Sequence, residues 1–155
     1  VPSGAIYGFL GPNGAGKTTT LRLLLGLLRA ERGAISLLGH SMPKEATKVL
    51  ARTGYVPEQP HFDTILTVRE ILRFQAAFYP GWDWAAAERL LVELELPDGQ
   101  LFGRLSKGQK AKVLMLTALA QTPELLVLDE PTDGLDPVAR RERGYPLGSR
   151  RCRTC

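Results

Sequence analysis

Apolar positions along this chain alternate between short continuous runs and longer stretches with helical spacing. Ala5–Leu10 is an apolar run that predicts a strand, and Gly11–Gly16 after it is a glycine-rich turn. Lys17–Leu28 has the spacing of an apolar helix with Arg22 and Arg29 on its polar side. Ala34–Leu38 predicts the next strand, and Thr53–Val56 a short one before Pro57. Two helical patterns follow, Val68–Phe78 and Trp84–Leu94, separated by the breaker Tyr79-Pro80-Gly81. A third helix is predicted from Ser106 to Gln121. Leu125–Leu128, just after Pro123, is continuously apolar, as in a strand buried on both faces of a parallel sheet. Asp136-Pro137 reads as an N-cap with proline at the first helical position, opening a helix over Val138–Glu142 that meets Gly144 and Pro146. Strands alternating with helices predict an α/β fold, with the central helices (about 64–121) as an inserted subdomain.

Composition narrows the class. The chain has 155 residues, enough for one domain with a core of its own, and 44% apolar with 23% charged residues exclude a disordered or collagen-like chain. Apolar stretches such as Val113–Ala120 are too short to span a bilayer, and no secretory leader pattern opens the chain, so a soluble intracellular domain is expected. The net charge of +4 would suggest an anionic partner, but six arginines and one glutamate lie in Arg140–Cys155. That leaves 14 basic and 15 acidic groups in the first 139 residues, a near-neutral body that does not favour nucleic acid. Both cysteines, Cys152 and Cys155, also lie in this segment. Their spacing could be half a zinc site or a redox motif, but without a second pair or a strand–helix frame an incidental tail is the better reading. The change of pattern near Arg143 predicts that residues 143–155 leave the native sequence, with the domain itself spanning 1–142. A first residue of Val, with a strand entered within five residues, suggests a piece of a longer protein.

Three segments carry candidate chemistry. Gly11-Pro12-Asn13-Gly14-Ala15-Gly16-Lys17-Thr18 fits G-x-x-x-x-G-K-[ST] between a predicted strand and a predicted helix. Glycines let backbone amides wrap a phosphate chain, the helix start adds partial positive charge, Lys17 would reach the β/γ-phosphates, and Thr18 would ligate Mg²⁺. Asp129 and Glu130 end the buried strand, where ligands of parallel sheets gather; Asp129 is placed to hold Mg²⁺ and Glu130 to polarise an attacking water. Alone, that pair is explained equally well as a strand-to-turn junction. Leu105-Ser106-Lys107-Gly108-Gln109 reads either as a capping box of Ser106 and Gln109 or as a phosphate site at a helix start, and both can hold together.

Together these residues resemble the nucleotide-binding domain of the ATP-binding cassette (ABC) ATPases. Gly11–Thr19 (GPNGAGKTT) resembles Walker A, LSKGQ the LSGGQ signature with Lys107 for its first glycine, Leu125–Pro131 (LLVLDEP) Walker B, and Asp133–Asp136 (DGLD) the D-loop. The resemblance covers about Ala5 to Glu142, with the motifs in the family's order. It implies a P-loop NTPase fold with a mostly parallel sheet flanked by helices, and ATP and Mg²⁺ as ligands. It also implies head-to-tail pairing with a second ABC ATPase domain, a homodimer or heterodimer, in which Ser106, Gly108 and Gln109 meet the partner's γ-phosphate and Asp136 communicates across the dimer. Where the family often has a Gln that senses Mg²⁺, this sequence has Glu58, with Gln59 one place on. The family's switch histidine has no counterpart here, His40 and His61 reading as surface or turn residues, and the strand and stacking aromatic that the family places before the P-loop have none either. Tyr79–Trp84 (YPGWDW) resembles the ABC-2 exporter branch, in which it would form part of a groove for the membrane subunit, although packing of Trp82 and Trp84 in the helical subdomain is the better reading. The resemblance therefore implies an ATPase subunit of an exporter, in the cytoplasm and peripheral to the membrane through a transmembrane permease. A soluble ABC ATPase acting on ribosomes or DNA, and a non-catalytic fragment, are the alternatives.

Overall fold

A computed structural model describes residues 4–12 and 14–130 of the chain. The predicted helix after Asp136, the D-loop-like segment, the arginine-rich tail and Asn13 lie outside the described residues. Helix α1 is Lys17–Leu24, β1 Ile35–Leu37, β2 His40–Met42, α2 Ala46–Leu50, β3 Thr53–Val56, α3 Val68–Ala76, α4 Trp84–Glu93, α5 Lys107–Ala120 and β4 Leu125–Leu128, with a 3-10 turn at Phe102–Arg104 before α5.

The predicted strand at Ala5–Leu10 is not formed. A strand needs a neighbour to take its ladder bonds, and the described strands pair only with one another, β1 with β2 and β3 with β4. Ile6, Tyr7 and Leu10 are exposed instead. Helix α1 also stops earlier than Leu28. Gly26, at φ 72°, closes it in a Schellman arrangement, the Leu27 N–H donating to Arg22 O at 2.9 Å and the Gly26 N–H to Leu23 O at 3.1 Å. The Ala34–Leu38 pattern becomes one arm of a hairpin, Ile35 opposite Met42 and Leu37 opposite His40. Its two-residue loop, Leu38-Gly39, has positive φ at both positions, as the tightest hairpins require. His40 is part of β2, its Nδ1 3.2 Å from a Glu45 oxygen. The Lys48 ammonium, the Ser41 N–H and His40 hold the Glu45 carboxyl down at about 2.

Strands β3 and β4 are the parallel pair that places the chemistry. They run in register, Thr53 beside Leu125 and Val56 beside Leu128. Helix α5 packs against this pair and against the helices at once. Val113, Leu116 and Ala120 on one stripe join Val68, Ile71, Leu72, Leu91 and Phe102 in the larger core cluster. Leu114 and Ala118 on another pack with Val56. The helix starts are closed by side chains. Thr67 and Glu70 form a capping box at α3, and the Asp83 carboxylate accepts from the Ala86 N–H at α4. Arg69 ties α3 to Glu88 of α4 and to Asp98, and holds both carboxyls below their ordinary values. Trp82 packs on the helical cluster, while Trp84, ring centroid 5.8 Å away, stays 40% exposed. Among the described residues no helix is long and apolar enough to cross a membrane.

Close approach of α5 to β3 depends on Gly54. A Cβ there would lie 2.7 Å from the Ala118 carbonyl oxygen and 3.0 Å from Leu126 Cδ1. Gly54→Ala is therefore expected to lower stability by about 1–3 kcal/mol in urea unfolding, as overpacking of a core does. Gly99→Ala, with open space at its Cβ, should stay within about 0.5 kcal/mol of the parent.

Candidate functional site

The turn before α1 is shaped by two left-handed glycines, Gly14 at φ 82° and Gly16 at φ 83°. Side-chain-bearing residues rarely hold that conformation, so glycine there lets the backbone double back. Within the turn the Ala15 N–H donates to Pro12 O at 3.1 Å, and the Thr20 N–H closes the first helical bond on Gly16 O at 2.8 Å. Gly16 is the N-cap and offers no side chain, so the first amides of α1 keep no intrahelical acceptor. Gly14, Gly16, Lys17, Thr18, Thr19, Glu58 and Glu130 line a cleft of about 300 Å³ at this point.

The carboxylates arrive from the ends of β3 and β4. Asp129 is 3% exposed, accepts a hydrogen bond from the Thr18 hydroxyl at 3.1 Å, and donates its own N–H to Val56 O at 2.9 Å. Glu130, with φ 48°, turns out of the strand direction and brings Oε1 within 3.5 Å of Lys17 Nζ. Lys17 also donates to Gly11 O at 2.9 Å and Pro12 O at 3.1 Å. Of the two adjacent candidates after Pro57, Glu58 lines the cleft and Gln59 does not. Tyr55, which the motifs do not mark, belongs to the same neighbourhood. Burial first, then the Asp129 charge, push its phenol up, against an opposing effect of Arg22. The signal for Tyr55 was positional: it pairs with Val127, two residues before Asp129, on the same face of the sheet.

Ser106, Gly108 and Gln109 do not line this cleft. They open α5 as a complete capping box, the Gln109 N–H donating to Ser106 Oγ at 3.2 Å and the Ser106 N–H to Gln109 Oε1 at 2.9 Å. Asn13 and Asp136 lie outside the described residues. A second cleft of about 260 Å³, in the helical region, is lined by Arg69, Glu88, Glu95 and Asp98 with Leu91, Val92 and Leu96. Arg69 already bonds two of its carboxylates, so its charges are largely matched internally.

The main cleft thus combines an amide-rich turn, one lysine, and a buried carboxylate bonded to a hydroxyl. A hard divalent cation that keeps most of its waters takes this kind of donor pair, and Thr18 with Asp129 fit it. Anion at the turn and cation at the carboxylate together suit a metal-bound polyphosphate.

The sequence pattern of the family described as "ABC transporter" matches residues 1–133. The chain is 44% identical over 146 residues to the Nod factor export ATP-binding protein I of Burkholderia lata, covering 90% of this chain and 48% of that protein. It is 43% identical over 144 residues to the Bacitracin transport ATP-binding protein BcrA of Bacillus licheniformis, covering 92% of this chain and 47% of that one. The chain therefore spans about half the length of these relatives. Among solved structures it resembles the ATP binding subunit of an ABC transporter, with TM-score 0.73, 38% identity, and 84% of this chain and 57% of that one covered. It also resembles a dimeric bacterial ABC transporter cassette, with TM-score 0.69, 27% identity, and 81% and 60% covered.

Because Asp129 takes its side-chain bond from Thr18 in a buried setting, Thr18→Val should destabilise the fold by about 1–3 kcal/mol, read from urea midpoints. Thr20→Val, whose hydroxyl makes an exposed bond to Gly16 O, should change stability by less than about 0.5 kcal/mol.

Proposed function

The chain belongs to the ABC transporter family, and from that membership we propose that it forms the ATP-binding core of an exporter's ATPase subunit. The observation that carries the reading is the convergence of Lys17, Thr18, Glu58 and Glu130 on one cleft, with Asp129 bonded to Thr18 behind it. In this reading the backbone N–H groups from Gly11 to Thr19, apart from Pro12, which has none, wrap the phosphates, Asn13 and Gly14 among them, and Lys17 binds the β- and γ-phosphate oxygens. Thr18 and Asp129 hold a magnesium ion, which when bound neutralises phosphate charge. Glu130 orients the attacking water and takes its proton, and Glu58, which also lines the cleft, senses the occupied site.

The second half of the site comes from another ABC ATPase domain. Ser106, Gly108 and Gln109 at the start of α5 meet the ATP held by the partner's P-loop, and Asp136 relays the state of one site to the other. Support for this comes from the capped α5 N-terminus, whose residues do not line the chain's own cleft, and from the likeness to a dimeric cassette. Closure of the two domains on ATP drives a transmembrane permease, so the subunit works at the cytoplasmic face of the membrane. The relatives named for Nod factor export and bacitracin transport support an exporter of the ABC-2 kind.

Lys17→Ala is expected to weaken ATP binding by about two orders of magnitude in equilibrium titration, the scale of losing charged hydrogen bonds to phosphate. Undiminished affinity would remove the P-loop from the reading. In the whole subunit, Glu130→Gln should retain ATP binding while kcat falls about 10²–10⁴-fold, the contribution of a positioned base. Unchanged turnover would exclude Glu130 as that base.

A further inference from the structure

The ammonium of Lys17 has three N–H donors. Two are spent on the turn itself, at Gly11 O (2.9 Å) and Pro12 O (3.1 Å). Glu130 Oε1 stands 3.5 Å from the same nitrogen. The side chains of Lys17 and Glu130 are only 17% and 33% exposed, so water and salt screen them less than a surface pair. Glu130 comes to this position from a left-handed backbone at φ 48°. A residue with a side chain holds that conformation only where its surroundings compensate, and the pair with Lys17 is such a compensation.

The choice of partner is selective. Lys17 is the one cation lining the cleft among the described residues; Glu58 and Glu130 line it as well, and Asp129 bonds the Thr18 of its lining. Asp129 takes the Thr18 hydroxyl. Glu58 lines the cleft without an ion pair among the described residues. Among the described carboxylates, Lys17 pairs with Glu130 alone. A phosphate entering the turn competes for the same ammonium, because the lysine cannot serve a phosphate oxygen and the Glu130 oxygen with one N–H.

Resting on the ATPase reading above, we propose that the Lys17–Glu130 ion pair is a latch on the base. Lys17 holds the Glu130 carboxylate until a phosphate displaces it, and the same exchange that seats the nucleotide frees Glu130 to orient water. Loading and arming are then a single event, and the cost of parting the pair is taken from nucleotide affinity.

Two measurements test this on the chain as it is. The first is a double-mutant cycle of Lys17→Gln and Glu130→Gln on urea stability without nucleotide, where the double variant should be more stable than the sum of the single effects predicts. Additive effects overturn the latch. The second is ADP titration, which excludes hydrolysis, at fixed magnesium. Glu130→Gln and Glu58→Gln each remove one negative charge from the cleft, but only the first removes the lysine's partner. Glu130→Gln should tighten ADP binding by about threefold to tenfold beyond any gain from Glu58→Gln, the scale of a partly sheltered ion pair. Equal gains from the two variants overturn the latch alone. A parent chain that binds no nucleotide overturns the ATPase reading and the latch with it.

Discussion

A single backbone bond, from the Asp129 N–H to Val56 O at 2.9 Å, fixes where the chemistry of this chain sits. It continues the parallel ladder one step past the paired ends of β3 and β4, so both strands stop at the same level. Whatever follows each strand must then emerge side by side: Pro57-Glu58 from one, Asp129-Glu130 from the other. Parallel sheets gather ligands at their carboxyl ends for this reason, since the loops there converge while the strands below are held by the ladder. The Thr18 hydroxyl on Asp129 adds the third member, tethering the start of α1 to the same level. A one-residue slip between β3 and β4 would move Asp129 to the other face and part it from Thr18.

Helix α5 translates that arrangement to the opposite end of the molecule's helical region. Its two apolar stripes, Val113/Leu116/Ala120 and Leu114/Ala118, make it the wall shared by the helical core and the sheet. Gly54 permits the wall to stand against β3, and Asp83 anchors α4 to it by donating its N–H to Ala120 O at 2.7 Å. At the other end of the helix Ser106 and Gln109 satisfy each other's backbone groups. A capping serine accepts a bond through its oxygen and still has its O–H to donate. Capping therefore leaves the donor half of the same hydroxyl for the anion contact proposed at this helix start.

Local chemistry was legible in the sequence and partnership was not. Ser106 and Gln109 read as a capping box because both partners lie within one turn. Gly11–Gly16 read as a glycine-rich turn because left-handed backbone, seen at Gly14 and Gly16, is a property of the residue itself. Leu125–Leu128 read as a strand and pairs with β3. Ala5–Leu10 has much the same apolar character and stays unpaired, because apolarity says that a segment can be buried but not what covers it. The hairpin at β1–β2 escaped notice since each arm is three residues with a polar centre, too short to show alternation. Helix α1 ended at a glycine that lay in plain view within an apolar run, where helical spacing outweighed the stop signal. The left-handed turn at Glu130 had no signal at all, since no residue preference announces it.

Net charge illustrates the same separation between global and local quantities. The +4 of the whole chain is set by its last residues, whereas the cleft is lined by one lysine and two carboxylates, with a third, Asp129, bonded to its Thr18. A bare polyphosphate would meet like charge from Glu58, Asp129 and Glu130 in a partly sheltered site, where such repulsion is stronger than in water. The amides of the turn and the α1 dipole offset part of it, but they are partial charges. Thr18 and Asp129 would hold a divalent cation on the proposed reading, and its charge would turn the most buried of the three carboxylates from a repulsive group into a favourable one. On the proposed ATPase reading the acidic lining and the glycine turn are then not in conflict: the turn would take the phosphate, and the carboxylates behind it would favour the metal-bound form over the free one.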